Sequence, residues 1–113
     1  MALERGKLAP VTVVSSGATG TIITVASSKK VYIKSIMLFS PSGSTATAEV
    51  FVVPNGGSAG NSTKMFKISL AADETVLLEP TYPIVLDTDG DTFQVTATSQ
   101  DVNVLITGDK EAR

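Results

Sequence analysis

β-Branched side chains dominate this chain: 13 Val, 7 Ile and 14 Thr among 113 residues. They fall in short runs separated by Gly, Ser, Pro, Asn and Asp. Such side chains lose χ1 freedom in a helix and suit a pleated, half-buried surface. The runs cover residues 11–14, 21–26, 31–40, 47–53, 64–70, 75–78, 84–86, 92–98 and 102–107. Runs recurring at intervals of about ten residues predict an all-β chain, a single antiparallel β-sandwich, jelly-roll-like, with eight or nine strands. Parallel βαβ units would need helical periods between the runs, and no segment carries one.

Alternation within the runs predicts which residues face inward. Over 92–98, Phe93, Val95 and Ala97 share one face, and over 102–107 Val102, Val104 and Ile106 do. The longest run breaks the rule. Val31 and Ile33 are in one phase, Ile36 and Leu38 in the other, with Lys34-Ser35 between them. Two readings fit: a β-bulge at Lys34-Ser35 that restores one inward face, or a strand buried on both sides. The chain reads as one domain over 11–108, with an N-terminal arm over 1–10 and a C-terminal tail over 109–113. Within it, residues 54–63, with Gly56, Gly57 and Gly60, form either a hairpin tip or an interaction loop; Asn55, Gly56 and Gly57 are its candidate partner-binding residues.

The chain has no Cys, His or Trp. Without them there are no disulfides, no thiolate or imidazole metal ligands and no imidazole base. The nearest approach to a site is Asp87-Thr88-Asp89-Gly90-Asp91. Alternate carboxylates suit a hard cation, but an EF-hand loop needs Gly sixth and Glu twelfth, and here Gly is fourth and Thr98 twelfth. An Asp-rich turn is the better reading. Carboxylate pairs for glycosidic chemistry lack aromatic platforms, with two Tyr and four Phe in the chain. The triplet Lys29, Lys30 and Lys34 around Tyr32 reads as a solvated strand face in an acidic chain, not a nucleic-acid patch. No catalytic residue, cofactor or metal is expected, no apolar run is long enough for a membrane helix, and the first ten residues do not form a secretory signal.

The near-neutral total of −2 hides an asymmetry. Residues 1–72 carry seven bases and two acids; residues 73–113 carry nine acids and two bases. Either the sandwich interleaves the halves, or basic and acidic surfaces meet on neighbouring copies. The arm offers Leu3, Arg5, Lys7 and Leu8 as candidate contact residues. A strand of this kind either adds to a neighbour's sheet edge or folds back on its own domain.

Several segments resemble the small β-sandwich virion proteins of tailed bacteriophages. They are Thr21-Ile22-Ile23-Thr24-Val25-Ala26, then Val31-Tyr32-Ile33-Lys34-Ser35-Ile36-Met37-Leu38, then Glu49-Val50-Phe51-Val52-Val53 after a small polar loop. Gly90-Asp91-Thr92-Phe93-Gln94-Val95 is similar to that family's "G-D-x-(I/F)-x-V" strand entry, and 102–108 to its closing strand. Ile23 stands where that pattern has an aromatic, Ala26 where it has Pro, and Ser40 where Asn is common. The resemblance implies a non-enzymatic virion structural protein, foremost a capsid decoration or cement protein binding across capsomer joints. A tail or neck accessory or adhesion protein is the alternative, and a stand-alone carbohydrate-binding sandwich a third reading. The partners implied are a major capsid protein or other virion proteins and further copies of the chain, with no specific nucleic acid and no membrane. The place implied is the virion, assembled in the host cytoplasm.

Overall fold

A computed structural model describes the backbone of residues 3–112 and the side chains of 4–112. Its strands are β1 (Leu3–Lys7), β2 (Thr12–Val14), β3 (Thr19–Thr24), β4 (Lys29–Phe39), β5 (Ala46–Val53), β6 (Lys64–Leu70), β7 (Thr75–Leu78), β8 (Ile84–Leu86), β9 (Thr92–Thr98) and β10 (Val102–Ala112). The described residues contain no helix. Every run expected from the sequence is a strand, and β1 is additional. The last run does not stop at 107: β10 continues to Ala112, into the stretch 109–113 that was expected to be a tail. Leu3–Lys7 pairs with Thr107–Glu111 of its own chain.

The pairing follows one rule. β1 and β2 lie on β10, β3 on β9, β4 on β7 and β8, and β5 on β6, all antiparallel. The chain is therefore one long antiparallel ribbon, turned back at the β5–β6 loop. It is rolled so that successive pairs enter opposite sheets, and β10–β4 and β5–β9 contacts join the pairs within each sheet. The result is a larger sheet ordered β1-β10-β4-β7, with β2 and β8 continuing its edges, and a smaller sheet ordered β3-β9-β5-β6. This is the jelly-roll arrangement. Between the sheets lie Val31, Ile33, Ile36, Leu38, Val50, Phe93, Val95, Val102, Val104 and Ile106, all at most 2% exposed.

Of the two readings of the longest run, the structure shows the bulge. Thr107 pairs with Ser35 and Gly108 with Ile33, so Lys34 is the extra residue. Val31, Ile33, Ile36 and Leu38 consequently all face the core, while Met37 points outward at 39% exposure. The bulge falls where the opposite neighbour is interrupted: β8 pairs with Val31–Ile33, β7 with Ile36–Phe39, and residues 79–83 bridge them.

Loops gather at two ends. At one, Ser16 N donates to Asp101 Oδ1 (2.8 Å), Ser42 Oγ to Gln100 (2.9 Å) and Ser40 N to Glu74 O (3.1 Å). At the other, the Asp-rich turn acts as a clasp. Asp89 accepts from Ser28 N (3.0 Å) and Ser27 Oγ (3.2 Å), and Asp91 accepts from Asn55 N (3.1 Å) and Thr88 N (3.3 Å). Gly90 sits at φ 84°, a left-handed conformation that calls for glycine.

Candidate functional site

The outer faces of the two sheets have opposite chemistry. On the smaller sheet, Thr19, Thr21, Thr47, Glu49, Gln94 and Thr96 share the outward phase. Thr19 and Thr96 hydroxyls bond at 2.6 Å, and Glu49 pairs with Lys64 at 3.2 Å. Of the large apolar groups on that side, Phe51 is 4% exposed and lies 6.0 Å from Lys64 Nζ, which caps its ring, while Met65, at the bulge on the β6 edge, is 60% exposed. Apart from Met65 at its edge, that face is finished for water.

The outer face of the larger sheet is not. Its register lines up Leu105, Met37 and Leu77 straight across β10, β4 and β7, with Val13, Asn103, Phe39 and Thr75 in the next row. Val11 is one residue before β2, and the same register carries it beside Leu105. Val11 is 61% exposed, Val13 58% and Leu77 47%. Scattered exposed apolar residues are ordinary; a contiguous row on one sheet face marks a contact surface.

Along the strands, this apolar band lies between unlike charges. Toward the end where β10 finishes, Asp109, only 6% exposed, is gripped by Lys34 Nζ at 2.6 Å and Arg5 Nε at 3.7 Å. Two bases on one acid leave that row with a positive excess, and Lys7 adds to it. Tyr32 Oη donates to Glu111 at 2.6 Å, and Lys30 Nζ lies 5.6 Å from its ring. Tyr32, Lys34, Pro83, Asp109 and Glu111 line a shallow concavity of about 330 Å³. Toward the opposite end, the rim holds Asp73, Glu74 and Asp101, and the loops there (15–18, 40–45, 71–74, 99–101) contain no base. The two halves of the sequence are thus partly interleaved, since Arg5 and Lys34 neutralise Asp109, and partly separated along the molecule.

The hydrogen bond to the Glu111 carboxylate raises the Tyr32 pKa above its ordinary 10.0, with desolvation and the Glu111 charge acting the same way and Lys30 opposing. Because the folded pKa is raised, this contribution to stability is present below pH 10 and is lost as pH rises through the folded value. In a Tyr82→Phe background, Glu111→Gln is expected to bring the phenolate transition to lower pH in an ultraviolet absorbance titration. An unmoved transition would contradict the assignment.

The structure separates the residues expected to touch a partner. Arg5 and Lys7 stand on β1 at the edge of this outer face, both exposed. The backbone of Leu3 pairs with Glu111, and its side chain lies outside the described residues. Leu8 faces the other way, packed against the core and lining a cleft of about 200 Å³ between the sheets with Ile22, Ile23 and Val31. Asn55, Gly56 and Gly57 are exposed in the β5–β6 loop of the smaller sheet and do not join this face. Met37, Leu77 and Leu105 had a signal in the sequence: each is an apolar residue in the outward phase of an otherwise alternating strand.

Among the described residues, no group of three or more Asp, Glu, His or Cys is placed to hold a metal ion. No protein-family model matches the chain, and no curated protein matches it. Among solved structures, the chain is similar to the structure of infectious bursal disease virus Gx strain, with a TM-score of 0.44 and 15% identity over 96% of this chain. The Gt strain structure gives a TM-score of 0.42 and 12% identity over 96% of this chain. The chain spans 31% and 30% of the length of those chains. Likeness this distant carries nothing about function.

Proposed function

We propose that the chain is a non-enzymatic structural component of a virion, of the kind that decorates or cements a bacteriophage head across capsomer joints. The observation that carries this reading is a jelly-roll sandwich with one outer sheet face finished for solvent, apart from Met65 at its edge, and the other bearing a contiguous apolar band. Jelly rolls serve in capsid and in sugar-binding domains. A flat apolar sheet face suits protein contact, whereas sugar sites are built with aromatic platforms, and Tyr82, at 83% exposure, stands outside this row. The resemblance of 21–53 and 90–108 to tailed-phage virion proteins supports the same reading.

The physical role follows from linkage. A domain that binds assembled capsomers but not free ones stabilises the shell by its binding free energy, and many weak copies act together. Quantitative mass spectrometry of purified particles carrying this gene tests the reading. Copies on the order of hundreds per particle are expected for a head protein. A small multiple of three or six would move it to the tail or neck, and absence from particles would overturn a virion role.

A further inference from the structure

We infer that the outer face of the larger sheet is a self-association surface. In it, two copies pack face to face about a twofold axis lying along the Leu105–Met37–Leu77 row. The inference does not depend on the virion reading, since it uses only the charge and apolar pattern of this face. A twofold contact requires a self-complementary patch. For two sheets meeting face to face, the axis must lie in the plane between them, either along the strands or across them. An axis along the strands keeps each residue at its own height, which sets Asp101 against Asp101 and the Arg5–Lys34 row against itself. Both juxtapositions repel. An axis across the strands reverses the long direction, and the charge pattern then becomes complementary.

The register gives the distances. Asp101 is four residues from Leu105 along β10, and Asp109 is four residues from it on the other side. At about 3.3 Å per residue, each lies about 13 Å from the Leu105–Met37–Leu77 row. Reversal about that row therefore places Asp101 of one copy over Asp109 of the other. Asp109 is already covered by Arg5 and Lys34, so the incoming carboxylate meets their surplus positive charge. Asp101, exposed and one residue before β10, accepts from Ser16 N through Oδ1, which leaves Oδ2 for the incoming bases. The apolar row meets itself, Met37 on Met37. Glu79, in the outward phase at the β7 edge, comes opposite Thr75 and meets no acid.

Area sets the strength. Four strands about 4.8 Å apart by eight residues give about 500 Å² per copy. Stable interfaces bury about 800 Å² per partner, so the dimer is weak. It is also salt-sensitive, because its charged pairs lie at the exposed rim.

Sedimentation velocity on the full chain, up to about 500 µM in about 0.05 M and about 0.5 M salt, is the first measurement. A dimer weakened about tenfold or more by salt is expected, with Met37→Glu shifting it toward monomer while the melting temperature holds, and Asp101→Lys shifting it likewise with a lower melting temperature, because the bond from Ser16 N is lost. The chain has no Cys, so single-cysteine variants report geometry cleanly. A short bismaleimide is expected to link Met37→Cys to itself, and to link Asp101→Cys to Arg5→Cys in a mixture, but neither of these two alone. Lys67→Cys, on the smaller sheet, is expected to stay unlinked. A monomer throughout the range, self-linking of Asp101→Cys, or linking through Lys67→Cys in place of Met37→Cys would each overturn the inference.

Discussion

Gly108→Ala is expected to cost at least about 3 kcal/mol and to lower the melting temperature by about 10 °C or more. Gly108 lies on β10 opposite the bulge, where Lys34 pushes the β4 backbone toward it. A Cβ at this position would collide with the carbonyl oxygen of Tyr32 and lie 3.1 Å from the Lys34 nitrogen. Both neighbours are backbone, so no side-chain rotation relieves the clash. The ladder between β4 and β10, the pairing at the centre of the larger sheet, must open instead. The source of the clash can itself be removed. Deleting Lys34 leaves Val31, Ile33, Ile36 and Leu38 in regular alternation and takes away the bulge. Thermal denaturation of the four-member cycle is the check. The penalty of Gly108→Ala is expected to fall by about half or more in the chain without Lys34, and an unchanged penalty would refute the bulge as its cause.

Phe93→Ala is expected to be the other large loss, about 3–5 kcal/mol. Phe93 is fully buried and the bulkiest of the fully buried side chains. It sits on β9, paired laterally with Ile23 and Val52, and faces the larger sheet. Cutting its ring removes transfer free energy and leaves a cavity that two sheets tied by continuous ladders cannot close. Denaturant titration should show a lower midpoint with an unchanged slope, since the same surface is exposed on unfolding. Phe93→Leu should recover part of the loss. A cost below about 1 kcal/mol for the alanine variant would mean that the core repacks around the gap.

These two positions differ in how far the sequence announces them. Phe93 is plain in the alternation of 92–98, as are Val102, Val104 and Ile106 in the last run. The phase slip between Ile33 and Ile36 marks the bulge, but the need for glycine at 108 arises only when β10 is laid beside β4. No local pattern shows that pairing. The same holds at the chain's ends. Residues 109–112 have neither β-branched side chains nor an apolar alternation, yet they extend β10 because β1 and β4 supply partners on both sides. The interrupted edge, β7 then β8, is legible as two short runs; that both lie on β4 is not. Leu105 and Met37 were visible in the sequence as residues out of phase. The outer face they share, joined across β10 and β4, gives them a role.

The ribbon pairing also governs when this fold can form. β10 is made after every strand it pairs with, yet it occupies an interior position of the larger sheet, between β1 and β2 on one side and β4 on the other. A nascent chain lacking β10 leaves β1, β2 and β4 without their common neighbour, so the larger sheet cannot assemble until β10 has emerged. The smaller sheet waits in the same way for β9, which stands between β3 and β5. Folding is then a late event of high contact order, in the slow range of small domains. Until β9 and β10 arrive, the Val- and Ile-rich strands stay exposed, and growing chains must be kept apart from one another.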